Sequence, residues 1–171
     1  NTQLSIDVSG YKWNLASNAI HFFDLFYFLV NIPVNFSKKK YDLKKILSKH
    51  YKYFELTGKL SIKDKKFSIF LSDQRKNKGL IVKIKTSKTR YYINEYKNFV
   101  RVYLGNKTHT RKINIPLQSQ LTKTLVKKII YNKKILLPTL SDTYLSHKLL
   151  YSLFKKYFHK KKSKTLNCLI T

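Results

Sequence analysis

Apolar and polar positions divide the chain into a helical front, a run of strands and a helical end. The most apolar stretch, 19–36, is interrupted by Asp24, Asn31 and Pro33. These interruptions exclude a bilayer-spanning segment, which needs about 20 apolar residues in succession. The stretch predicts a buried helix over 17–30, with Ser17 as N-cap and Pro33 beyond its end. Ser37 opens a second predicted helix. Leu43, Ile46, Leu47 and Tyr51 share one helical face, with Leu47 buried, while Lys38, Lys39, Lys44, Lys45 and Lys49 lie elsewhere. The period then falls to two. Phe67, Ile69 and Leu71 follow a Lys63-Asp64-Lys65 turn; Leu80, Val82 and Ile84 alternate in the same way. Val100, Val102 and Leu104 precede a Gly105-Asn106 turn, and 111–115, 125–131, 134–137 and 165–170 read as further strands. Leu145, Leu149, Leu150, Leu153, Phe154 and Tyr157 give a last helix, 141–158. The resulting class is α+β, in two small lobes: an N-terminal helix-strand-helix-hairpin lobe (1–78) and a strand-rich C-terminal lobe with one long helix (79–171).

The net charge of +28 on 171 residues changes the picture more than any motif does. A hydrophobic content of 43% excludes a disordered basic tail. The charge exceeds the magnitude of about 2–8 that solubility alone asks of a small domain, so a polyanionic partner is expected. One cysteine, Cys168, excludes an internal disulfide or a CxxC pair. The eight acidic residues are widely spaced, the five histidines form no HxH or HExxH, and the four glycines form no GxGxxG. No local catalytic, metal or cofactor signature results, and none of these groups is expected. Residues with A/T-rich codons (Lys, Asn, Ile, Phe, Tyr) dominate, and the 32 lysines outnumber four arginines. The expected source is an A/T-rich organelle genome, with the product in the mitochondrial matrix and no transit peptide. The lack of any methionine implies that the true start is processed or missing.

Basic residues interleaved with rings, as in Arg90-Tyr91-Tyr92, suit phosphate backbones and unpaired bases. The block Ile32-Pro33-Val34-Asn35-Phe36-Ser37-Lys38, followed by Leu43, Ile46 and Leu47, resembles the small-subunit ribosomal protein eight family, where a strand enters a helix through a Val-x-x-Ser-Lys pattern. Thr86-Ser87-Lys88-Thr89-Arg90-Tyr91-Tyr92-Ile93 is similar to that family's Ile-Ser-Lys-Pro-Gly-x-Arg-x-Tyr-Val, and Leu166-Asn167-Cys168-Leu169-Ile170 to its last strand. Pro138-Thr139-Leu140-Ser141-Asp142 stands where the family has Ser-Thr-Ser-x-Gly.

The resemblance implies a structural constituent of a mitochondrial ribosome that binds small-subunit ribosomal RNA and catalyses no reaction. It implies RNA contacts at Ser87, Lys88, Arg90, Thr139 and Ser141; the basic run adds Lys160, Lys161 and Lys162. Ser141 could equally cap the last helix. Expected partners are ribosomal RNA and neighbouring ribosomal proteins, without stable membrane insertion or a homo-oligomer. Three alternatives stay open: another or lineage-specific mitoribosomal protein, large subunit included; an RNA-processing enzyme using Asp42, Asp73 or Asp142; and a basic peripheral membrane protein.

Overall fold

The computed structural model describes residues 3–74, 79–116, 118–131, 137–158 and 170. Eight strands form one mixed sheet: β1 (Leu4–Ser9), β2 (Lys38–Leu47), β3 (Phe54–Lys63), β4 (Phe67–Ser72), β5 (Ile81–Thr86), β6 (Thr89–Asn94), β7 (Phe99–Leu104) and β8 (Lys107–Lys112). The helices are α1 (Leu15–Val30), α2 (Gln118–Ile130) and α3 (Leu140–Phe158). Strand order is β2-β3-β4-β1-β5-β6-β7-β8. β1 is the central strand, parallel to β4 and antiparallel to β5, so its ladders join the two halves of the chain across residues 78 and 79.

Alternation explains the core. Leu4, Ile6 and Val8 of β1 stand beside Phe67, Ile69 and Leu71 of β4, and Leu60 and Ile62 of β3 continue the same surface. All are buried, and α1 covers them with Leu15, Ala16, Ala19, Phe23 and Phe26. α3 packs on α1, burying Leu153 and Phe154. Its Tyr157 hydroxyl donates to the Leu43 carbonyl of β2 at 3.2 Å, which ties the outer helix to the sheet edge. The opposite sheet face carries Ser5, Asp7, Lys83, Arg90, Tyr92 and Arg101, and among the described residues no helix packs across it, as one face of an antiparallel sheet allows. Among the described residues α2 makes no extended contact with the sheet.

Several expectations hold and several do not. The helix over 17–30, the strands at 67–71, 80–84 and 100–104, the two turns and the last helix are all found. The α+β class holds too. The second helix is not found; Ser37 and the residues after it lead into β2. Its helical spacing of apolar residues is accidental: the ladder to β3 runs unbroken from Lys38↔Lys63 to Leu47↔Phe54 and prevails over local propensity. Leu43 is the buried residue of that strand, and Leu47 is 94% exposed. Leu47→Ala is therefore expected to change stability by no more than about 0.5 kcal/mol, measured by urea denaturation. A loss of several kcal/mol would restore the helix.

The predicted strand at 125–131 is the second half of α2, where Leu121, Leu125 and Ile129 recur every four residues. At 111–115 the strand ends at Lys112. Within 134–137 only Leu137 is described, and it lies in no strand; within 165–170 only Ile170 is, in an isolated parallel bridge to Phe54.

Ser17 is not the N-cap of α1. That position is Asn14, whose side chain makes no capping bond. The cap comes from afar: Glu55 of β3 accepts from the Ala16 N–H at 2.7 Å and the Ser17 N–H at 3.3 Å, and from the Ser17 hydroxyl. A buried carboxylate thus meets the positive end of the helix. At the other end Asn31, at φ 53°, donates its N–H to the Tyr27 carbonyl at 2.8 Å and closes the helix before Pro33.

Candidate functional site

The closing turn of α1 and the first turns of α3 face each other across a cavity of about 920 Å³. α1 and the turn after it supply His21, Asp24, Tyr27, Phe28, Asn31 and Pro33; the start of α3 supplies Ser141, Asp142 and Thr143, with Leu137 and Pro138 before it. Helical spacing places His21, Asp24 and Phe28 along one stripe of α1, so buried packing behind and polar function in front come from the same helix.

Two devices fix the polar groups. Ser146, fully buried, sets its hydroxyl between the Asp24 carboxylate and the Thr143 carbonyl, the latter 2.7 Å away. This couples the helices through a side chain at the cavity wall. At the entry of α3, Asp142 accepts from the Thr139 N–H at 2.7 Å and from its hydroxyl at 2.8 Å, while the Asp142 N–H donates back to Thr139 at 3.2 Å. This is a reciprocal cap. The Thr139 N–H and hydroxyl hold the Asp142 carboxyl below the usual carboxylate range. Burial pushes the Tyr27 phenol up, so it stays neutral.

The cap has a pH signature. A carboxylate whose pKa is lowered on folding stabilises the protein above its unfolded value, and that gain is lost as pH falls through the lowered value. Thermal melts of the parent and Asp142→Ala should therefore differ at neutral pH and converge on acidification below the ordinary carboxylate range. A gap constant with pH would mean that the carboxylate is not the cap.

Of the residues expected to contact RNA, Ser141 lines the cavity, and Thr139 is occupied as the cap of α3. Ser87 and Lys88 form the turn between β5 and β6, where the Thr86 hydroxyl accepts the Lys88 N–H at 3.2 Å. Arg90 lies on β6 over the Tyr103 ring, 5.3 Å from its centroid. Lys160, Lys161 and Lys162 lie outside the described residues. Among the carboxylates considered for an RNA-processing enzyme, Asp73 is buried and accepts from the Thr57 hydroxyl at 2.9 Å and the Gly58 N–H at 2.7 Å. It braces a point where β2 approaches so closely that a Cβ on Gly58 would meet the Asp42 carbonyl at 2.0 Å. That role is structural. No group of three metal-ligating side chains occurs among the described residues.

His21 and Asp24 escaped the sequence reading. One looked like an isolated histidine and the other like a flaw in an apolar helix. Their separation of one helical turn was the usable signal.

No protein-family model matches the chain, and no curated protein matches its sequence. Solved structures do match in fold. A dehydrogenase (MviM) from Clostridium difficile has a TM-score of 0.60 at 17% identity, covering 90% of this chain and 55% of its own. A Gfo/Idh/MocA family oxidoreductase from Vibrio cholerae has a TM-score of 0.56 at 13% identity, covering 91% and 52%. Biliverdin reductase from Synechocystis sp. PCC 6803, solved with biliverdin and NADP+, has a TM-score of 0.60 at 7% identity, covering 91% and 54%. The fold is one that oxidoreductases carry. The chain spans about half the length of these structures.

This finding overturns the resemblance to small-subunit ribosomal protein eight. The block that carried it, 32–47, is a loop and the edge strand β2 rather than a strand entering a helix. The expected ribosomal role, the ribosomal RNA and protein partners, and the expectation of no enzymatic role fall with it.

Proposed function

We propose that this chain is the substrate-holding part of an oxidoreductase, with the cavity between α1 and α3 as its binding site. The juxtaposition of His21 and Asp24 with Ser141 and Asp142 around one cavity carries the reading. The likeness in fold to the dehydrogenases supports it. The walls are mixed. Phe28, Ile32, Leu137 and Pro138 offer apolar surface, while the carboxylates, hydroxyls and Asn31 offer directional bonds. A hydroxyl-bearing organic molecule fits this chemistry. His21 can accept a proton from such a hydroxyl, and Asp24, held by Ser146, is placed to orient the ligand.

The residues described here do not fit a nicotinamide dinucleotide. Its pyrophosphate needs a glycine-lined turn and free N–H groups at a helix start. Gly10, between β1 and α1, is closed in by Trp13 and Leu80, which a Cβ would meet at 2.8 and 2.9 Å. The first turn of α1 is already filled by the Glu55 carboxylate. In this reading a nucleotide is bound by other residues.

Saturation-transfer NMR against polyols, hydroxy acids and amino sugars tests the site. Binders are expected, and His21→Ala should weaken them by about tenfold, or 1.4 kcal/mol. Leu47→Ala, remote from the cavity, should bind as the parent does. A panel with no binder, or binders indifferent to His21→Ala, would remove this proposal.

A further inference from the structure

The open face of the sheet carries none of the residues that line the cavity. Strand register sets its side chains in transverse rows: Lys83, Tyr92 and Arg101 in one, Lys85, Arg90 and Tyr103 in the next. Phe99 and Lys112 begin a third. The rings lie on the sheet. Tyr92 stacks on Phe99 with centroids 5.9 Å apart and planes at 23°. The Arg90 guanidinium lies 5.3 Å from the Tyr103 centroid, and that of Arg101 5.7 Å from Phe99. Each guanidinium is thus held on an aromatic surface, the arrangement that pre-orders arginine for bidentate contact with carboxylates. β5 to β8 contain no acidic residue. Lys83 reaches Asp7 on β1 at 3.9 Å, the one ion pair among the described residues.

We propose that this face docks a partner protein through a carboxylate-rich surface. Charge complementarity selects the sign. The footprint selects the class: a linear polyanion needs a track of cations, whereas cations and rings here fill several parallel rows. Eight strands at ~4.8 Å spacing and ~20 Å of strand length give the whole face roughly 700 Å², about half of it on β5 to β8, against the ~800 Å² each partner contributes to a standard protein interface. The twist of about 20° per strand keeps the face from lying flat on a membrane. A second copy of the chain would set these cations against themselves, with Asp7 and Asp42 as the acids available on the facing surfaces. Arg and Tyr are also the residues that concentrate binding energy in protein interfaces.

Fluorescence anisotropy with a labelled poly-L-glutamate peptide probes the carboxylate preference. Arg90→Glu with Arg101→Glu should weaken binding by about tenfold or more, and Lys127→Glu with Lys128→Glu on α2, an equal change in net charge, by less than about threefold. Arg90→Gln with Arg101→Gln repeats the test without introducing acids into the sheet, and circular dichroism checks that both variants keep the parent's strand content. Equal losses from the sheet and α2 pairs would reduce the effect to net charge and overturn the proposal. So would tighter binding of a heparin fragment or of phosphatidylglycerol vesicles with the same dependence on Arg90 and Arg101. A dimer seen in sedimentation and dissolved by the sheet variants would assign the face to a second copy instead.

Discussion

Phe26→Ala should unfold the protein more readily than any truncation at the surface, with a loss of about 3–5 kcal/mol. The ring is fully buried and sits between three others: Tyr27 and Phe36, each with centroids 5.4 Å away, and Phe67 at 5.9 Å. It therefore joins α1 to β4 and to the loop before β2, and no neighbour is free to collapse into the space. At about 2–4 °C of melting temperature per kcal/mol for a domain of this size, the expected drop is on the order of 6–20 °C. Phe28, two residues on, is 81% exposed, and Phe28→Ala should stay within about 0.5 kcal/mol. Denaturant titration of the two variants compares opposite sides of one helix. Equal losses would mean that α1 is rotated from the orientation described.

Glu55→Ala should come second. Its carboxylate serves the Ala16 and Ser17 N–H groups of α1 and, at 2.8 Å, the N–H of Leu56. Removal leaves those donors without their acceptor in a buried place. Hydrogen bonds to a charged group contribute about 1.5–3 kcal/mol each, and they are not additive, so a loss of about 2–4 kcal/mol is expected. Glu55→Gln keeps an acceptor oxygen and should fall between the parent and the alanine variant. Amide exchange at Ala16 and Ser17 should accelerate in the alanine variant beyond what the global loss explains. If it does not, the carboxylate is not the cap.

What the sequence made legible follows the physics of each element. α1 was readable because a strongly apolar run, broken within the helix by Asp24, had a proline beyond its end. β4 was readable because alternation reports a sheet with one covered face, and β7 because Val100, Val102 and Leu104 alternate before a turn, although no helix packs on them among the described residues. β2 was misread because its partner, β3, lies on the far side of a loop and periodicity carries no information about pairing. β1 and β3 were missed. In β1 the signal was present, since Leu4, Ile6 and Val8 alternate with Ser5, Asp7 and Ser9 as strictly as the core residues of β4 do. In β3 the buried Glu55 breaks the pattern where it turns to cap a helix. The cavity was less legible still. His21 and Asp24 lie on α1, but Ser146 and Asp142 come from a helix more than a hundred residues later, and only packing brings them together. Charge was legible in amount but not in meaning. The sequence could not distinguish a track for nucleic acid from rows on an open sheet.

The outermost strands carry a consequence of their own. β2 contains Lys38, Lys39, Lys40, Lys44 and Lys45, and β8 contains Lys107, Arg111 and Lys112. Among the described strands these two are the last in the sheet, and an outermost strand is the usual seed of aggregation in a protein rich in Ile, Phe and Tyr. A second copy approaching either edge would have to bring its own lysines alongside these at less than 5 Å of strand spacing. Repulsion at that distance makes edge-to-edge growth unfavourable. The basic charge that suits the open face to an acidic partner thus also opposes growth of the sheet beyond its outermost described strands, while leaving its broad face available.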